Sequence, residues 1–298
     1  MKRFTVLGRL SGRAGSYSKR FRRSRAGNFF YFTFLILGGM FSVLPLVYAV
    51  VTSFKPLEEL LVFPPRFFVK RPVITNYTAL PDLLSDLTIP FSRYVFNSIW
   101  VSAATTAIYI IISAMAAFVL AKGKFRGKNA YFWVIQFALM FNATTLGIPC
   151  YLVYSKLHMI DTYWMYILPQ LATTMGVFLM KQYMEGSIPD ALLEAAKIDG
   201  AGNWKSFWEI AMPIVKPAWL TLMLFGFRDA WSSAPTTTIL TEKLKTLPMI
   251  TSQIVAGGTA RAGNAAAITV IMMIPPILVY LISQSNVVEA MASAGIKE

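Results

Sequence analysis

The chain has few of the residues from which most active sites are built. Its 298 residues include one cysteine and one histidine. The lone Cys150 excludes an intrachain disulfide, and His158 by itself offers neither a Cys/His metal cluster nor a Ser/His/Asp set. His158 stands beside Met159 and Asp161 near an apolar boundary, where an ordinary loop histidine is expected. A phosphate-binding loop is missing as well. Nothing fits G-x4-G-K-[ST], and Gly127-Lys128 is followed by Asn129, so the chain is not expected to hydrolyse ATP itself. Charge is scarce, at 14% of residues, and acidic charge scarcer still, with 14 Asp and Glu against 28 Lys and Arg. No paired carboxylates fall where they would share an intramembrane cavity, so catalysis within the membrane is not expected.

What the chain does have is apolar length. Hydrophobic residues make up 56% of it, and the mean hydropathy is +0.54, far above a soluble domain of this size. Six stretches approach the roughly 20 apolar residues that a spanning helix needs. They are about Phe29–Thr52, Tyr94–Ala121, Ala130–Tyr154, Tyr163–Met180, Ala218–Leu240 and Ala265–Gln284. The pattern predicts an all-α, polytopic membrane bundle of six transmembrane helices over 29–284, with a basic tail at 1–28 and a short tail at 285–298. Gly38-Gly39, Pro45 and Gly147-Ile148-Pro149 interrupt these stretches. Such interruptions are tolerated only where neighbouring helices or a polar cavity satisfy the freed backbone, which argues for a bundle over isolated rods.

The net charge of +14 could suggest nucleic acid, but its distribution points to a membrane. Nine Lys and Arg fall within the first 25 residues, with no acid before Glu58. A basic tail ahead of an apolar span is the positive-inside signal, with attraction to anionic lipid added. The first span exceeds the roughly 7–15 residues of a signal-peptide core, so it is not expected to be cleaved. Lys122 to Lys128 carries four cations and no acid, which places that loop in the cytoplasm. Counting spans then puts both termini and the 181–216 loop on the same side. The loops at about 53–93, 155–162 and 241–264 face outward. The first of these holds Pro56, Pro64, Pro65, Pro72, Pro81 and Pro90 with several aromatics, which suits a structured cap; it is either a passive connector or a landing surface for an external protein.

The 181–216 loop is too polar to enter a bilayer and too regularly patterned to be slack. Ser187 is in position to cap a helix, with Asp190 three residues on. Ala191, Leu192, Ala195 and Ile198 form a small, apolar face at helical spacing. Gly200 permits a turn, a second short helix runs from Trp204 to Ala211 with Trp204, Phe207, Trp208 and Ala211 on one side, and Pro213 closes it. Within this stretch Glu194-Ala195-Ala196, three residues, Gly200, nine residues, Ile210, one residue and Met212-Pro213 resemble the EAA signature, EAA-x3-G-x9-I-x-L-P, with Met212 where leucine is usual. That signature marks permease subunits of binding-protein-dependent ABC importers. From about Tyr94 to Leu220 the chain is similar to their carbohydrate branch, akin to the smaller permease of maltose-type transporters. Asn97-Ser98, Ile148-Pro149 with Tyr151, Asp161-Thr162, Pro169 and Ile188-Pro189 carry this likeness, as does the tail Ala294 to Lys297.

The resemblance implies a type I ABC importer permease in a bacterial cytoplasmic membrane. Its coupling helix would dock on a cytoplasmic ATPase through Glu194, Ala195, Ala196, Asp199, Gly200, Ile210 and Pro213. It also implies a second, homologous permease, two ATPase copies that bind ATP and Mg, an extracellular solute-binding protein, and a sugar or oligosaccharide substrate. No cofactor and no metal is expected in the chain itself. Alternatives are an importer of glycerol phosphate or of an acidic, uronate-type oligosaccharide, and a facilitator working without an ATPase. Span five departs from the branch's usual Trp/Asn-rich pattern and holds Arg228-Asp229 about 11 residues past Pro217, near mid-bilayer. A charge there is costly unless it is paired or faces water. Either Arg228 and Asp229 form a structural ion pair with the bundle, or Arg228, Trp231, Ser232, Ser233 and Thr236 line a solute pathway. Asn142, with Thr144 and Thr145 in span three, lines the same pathway or bonds between helices.

Overall fold

The computed structural model describes residues 25–83, 89–141 and 146–295, and among them every regular element is helical. The first helix, α1 (Arg25–Ser53), belongs up to Val47 to one compact unit, and Tyr48 onward to a second. Its described side chains from Gly27 to Val47 are nearly all exposed although they are apolar around the whole circumference. A helix apolar on every side requires an apolar surrounding, and lipid supplies it.

The second unit is built on α2 (Phe91–Lys122). Its buried side carries Ser98, Ser102, Thr105, Thr106, Ser113, Ala114 and Ala117, small residues at helical spacing that let neighbouring backbones come close. Three helices use that approach: α5 (Trp164–Leu171), α6 (Thr174–Ser187) and α9 (Lys216–Ser232). Between them come α3 (Lys128–Ala138), α4 (Gly147–Lys156), α7 (Asp190–Ile198) and α8 (Asn203–Ile214). The chain ends with α10 (Leu247–Ala256) and α11 (Ala262–Gly295), which packs on α9.

Tyr109 shows how tightly this interior closes. Its ring lies between Gly176 of α6 and Gly226 of α9. A Cβ on Gly176 would sit 2.4 Å from the phenol oxygen, and one on Gly226 would sit 2.9 Å from a ring carbon. Both glycines are present because no side chain fits there.

Helix length departs from the six-span expectation in detail. Among the described residues three helical stretches, Gly27–Ser53, Phe91–Lys122 and Thr259–Gln284, are long and apolar enough to cross a membrane alone, and α8 with α9 would add a fourth as a pair bent by 81°. The stretch expected at 130–154 contains α3 and α4, and Gly147-Ile148-Pro149 opens α4, with Pro149 in the first turn where its missing N–H is harmless. The stretch at 163–180 divides into α5 and α6 around Thr173, whose backbone is extended. The fifth ends at Ser232, short of the expected Leu240.

Loops that charge bias assigns to one side of a membrane meet at one end of the bundle. Lys122, at the close of α2, is 2.7 Å from Asp190 at the start of α7. At the opposite end the loops expected to face outward are joined. Tyr94 donates to Glu242, Asn264 donates to the Asn76 carbonyl, and Leu240 and Thr241 donate to Asp161.

Candidate functional site

The signature loop forms a helix, a tight turn and a second helix. Ser187 closes α6 and caps nothing; Pro189 stands at the N-cap of α7 with no side-chain bond, and Asp190 turns to Lys122. The expected cap at Ser187 is therefore corrected, since Ile188 and Pro189 hold an extended backbone that ends one helix before the next begins. At the far end of α7, Gly200 has φ +81°, the Ala201 N–H bonds the Ala196 carbonyl at 2.8 Å, and the Gly200 N–H bonds that of Lys197 at 3.1 Å. This paired closure needs a left-handed residue at the glycine position.

The two sides of α7 differ. Leu193 and Ala196 are buried, in line with a helix docked on its own chain. Ala191, Leu192, Ala195 and Ile198 are exposed, Ile198 at 87%, as are Glu194, Asp199 and Gly200. Ala196 thus packs inward and is not part of the outward face. In α8 the helix widens over Ser206–Ala211 into a π segment, a form often met at functional positions. Phe207 and Ala211 enter the core while Trp204 and Trp208 stay outside, edge to face at 5.9 Å. Ile210 is half-buried against the same core. Pro213 does not end α8; it lies exposed in the helical stretch, and the chain bends at Val215 (φ −90°, ψ 20°).

Behind α7 is a cavity of about 570 Å³, bounded by α7, α8 and the last turns of α2. Lys122, Lys124, Lys128 and Lys197 stand around it with Asp190 and Glu194; Asn203 and Ser206 add neutral polar groups on the α8 side, and the rest of the lining is apolar. The hydrogen bond from Lys122 holds the Asp190 carboxyl below the usual aspartate range. Lys128 Nζ caps the end of α2 through the Ala121 carbonyl at 2.9 Å. Nearby, Lys181 is nearly buried, 2.8 Å from Glu185 and over the Phe132 ring at 3.7 Å.

The candidate pathway residues divide. Arg228 pairs with its own neighbour, Nη2 to Asp229 Oδ1 at 2.9 Å, and both side chains remain largely exposed, at 66% and 47%. Among the described residues neither pairs with another part of the bundle, the first of the two readings, because adjacent residues on α9 reach each other without leaving its surface. Arg228 borders an apolar groove of about 310 Å³ between α9 and α11. Ser232 is exposed and donates to the Arg228 carbonyl; Ser233 and Thr236 follow beyond the helix, half-buried and exposed. Trp231 is different. It is buried against Phe227, and its indole N–H bonds the Met272 carbonyl at 2.9 Å, so it fastens α9 to α11. Asn142, Thr144 and Thr145 lie outside the described residues.

Sequence reasoning missed the polar fastenings at the other end. Asn97 Nδ2 donates to the carbonyls of Lys243 and Lys245, and its Oδ1 accepts from the Tyr163 hydroxyl. Ser98 accepts the Leu247 N–H at 2.7 Å. Asp161, with φ +60°, accepts two backbone N–H groups and the Thr241 hydroxyl. The Thr241 hydroxyl first, then the backbone donors, hold this carboxyl below the ordinary aspartate range. A buried asparagine at the start of an apolar helix was the available signal, since it must find partners.

Over residues 109–293 the sequence matches the family of binding-protein-dependent transport system inner membrane components. It is 31% identical over 199 residues to the sn-glycerol-3-phosphate transport system permease protein UgpE of Yersinia enterocolitica, covering 65% of this chain and 70% of that one. To the arabinooligosaccharides transport system permease protein AraQ of Bacillus subtilis it is 26% identical over 268 residues, covering 89% and 94%. A solved bacterial ABC transporter involved in the import of the acidic polysaccharide alginate shares the fold, with a TM-score of 0.65 at 23% identity over 88% of this chain and 98% of that one.

Proposed function

Because the chain belongs to the family of binding-protein-dependent transport system inner membrane components, we propose that it is a permease subunit of an ATP-driven importer of sugars or oligosaccharides. It forms half of a translocation pathway with a second, related permease. A separate cytoplasmic ATPase binds ATP and Mg and drives the cycle, and an external binding protein delivers the solute.

One observation carries the reading. The helix with the family signature leaves its small, apolar face, Ala191, Ala195 and Ile198, uncovered by its own chain, while Leu193 and Ala196 on its other side and Phe207 and Ala211 of α8 anchor the loop to the core. Alanines allow close approach by a partner, Asp199 offers it a polar contact, and the left-handed Gly200 fixes the turn. Force on α7 passes to α2 through Leu193 and the Lys122–Asp190 pair, and along α8 to the bend at Val215. The bundle then rocks between inward-open and outward-open states.

A second solute class has its own support. Arg228 keeps an exposed guanidinium on α9, and the chain is similar to a glycerol phosphate permease, so an anionic solute is the alternative to a neutral sugar. The deciding experiment is purification from the native membrane in mild detergent with identification of the co-purifying proteins. A second permease and an ATPase are expected. A chain recovered alone after cross-linking would sink the importer and favour an ATPase-independent facilitator.

A further inference from the structure

The cavity behind α7 has a graded polarity that the coupling role does not use. Its rim is cationic: of its lysines, Lys122 is engaged by Asp190 and Lys128 by the Ala121 carbonyl, while Lys124 and Lys197 make no direct bond among the described residues. Four lysines against Asp190 and Glu194 leave a net +2 (4 − 2) around the cavity. Its wall on the α2 side is apolar and rises through Val119, Phe118 and Met115. Those residues lie up to about 10 Å from Lys122 along the helix axis, in the direction of the membrane interior. Val119 and Met115 are both exposed on that path.

We propose that this cavity holds one anionic phospholipid, its headgroup among Lys124 and Lys197 and its acyl chain along Met115 and Val119. Cations at the end of a membrane helix followed inward by an open apolar wall match a lipid in polarity, order and length. A basic pocket between helices on the cytoplasmic side is a known way to hold acidic headgroups. A free phosphate has no use for the apolar wall, and the face that an ATPase would meet lies on the other side of α7. Asp190, Leu193, Glu194 and Lys197 turn to the cavity, while Ala191, Ala195 and Ile198 turn away from it. A lipid seated there backs the coupling helix and makes its position depend on leaflet composition. The site rests on the chain's residence in a membrane, not on the identity of the solute.

Two measurements on the purified full chain test it, and neither needs ATP or solute. In native mass spectrometry after delipidation, phosphatidylglycerol should bind as one retained molecule, in preference to phosphatidylcholine. Lys124→Gln with Lys197→Gln should weaken that retention roughly 30-fold, at about 1 kcal/mol per lysine. In a Cys150→Ser background, a fluorophore on Val119→Cys should be quenched by brominated phosphatidylglycerol and much less so in the double lysine variant. Equal retention of both lipids, or retention unchanged by the lysine substitutions, would overturn the site. So would efficient cross-linking from Val119→Cys to a co-purified ATPase, which would put protein in the cavity. A failure here would leave the importer reading standing, since co-purification tests that separately.

Discussion

Tyr109 between Gly176 and Gly226 makes the sharpest statement about stability. Adding one carbon at either glycine meets the ring below contact distance, and the ring is held by three helices. Gly176→Ala should lower stability by about 1–3 kcal/mol, the usual cost of overpacking. Thermal unfolding in detergent measures it. If the ring is the obstacle, Tyr109→Leu combined with Gly176→Ala should cost less than the sum of the two single changes; a strictly additive pair would place the obstacle elsewhere. Asp161 gives a pH-dependent counterpart. Its carboxyl titrates below the ordinary aspartate value of 3.8, chiefly because the Thr241 hydroxyl and backbone N–H groups bond the ionised form. A depressed acid stabilises the fold above its unfolded value and loses that contribution as pH falls through the folded one. Hydrogen exchange at Leu240 and Thr241 should therefore accelerate, relative to their neighbours, only below the normal aspartate range. Asp161→Ala should show the same faster exchange at neutral pH.

Among the helices, α7 carries the functional asymmetry. Its outward residues are not required by the fold, so Ala195→Arg should leave the melting temperature nearly unchanged, as exposed substitutions usually do. The same change should abolish recovery of the ATPase with the permease. Ala196→Arg should behave differently and lower stability, because Ala196 faces the core. Gly200→Asp should abolish ATP-coupled uptake while membrane insertion is retained; normal uptake in that variant would remove the coupling role from this turn. Much of this helix was legible in the sequence. The 3.6-residue spacing of Ala191, Ala195 and Ile198 and the glycine at the turn specify a surface and a reversal from local chemistry alone. The cap at Ser187 was misplaced because Ile188-Pro189 extends the backbone between two helices, and only the position of α6 reveals where the first one ends. The π segment and the bend at Val215 were also beyond reach, since they follow from how Phe207 and Ala211 fit the core and leave no mark in residue type.

The bundle's two ends are held by different chemistry. One end has the cationic loop, α7 and the Lys122–Asp190 pair; the other has a mesh of hydrogen bonds in which Asn97, Ser98 and the carboxylates of Asp161 and Glu242 join side chains to backbone groups. Hydropathy found the apolar stretches, yet it could not divide them. A run of apolar residues reads alike whether it forms one helix, as in α2, or two, as in α5 and α6, where the backbone turns extended at Thr173. The pathway residues were less legible again, since burial separates Trp231 from Arg228 although both sit in one motif. Sidedness rests on arginine and lysine counts in short loops, which bias insertion with the cationic loop inward. If so, a cysteine at Lys243, exposed at that end, should react with a membrane-impermeant maleimide in sealed right-side-out vesicles, in a Cys150→Ser background. A cysteine at the exposed Arg126 should react only after the vesicles are opened. Labelling of both before opening would mean that the two ends share a compartment, and α7 would then have no ATPase to meet.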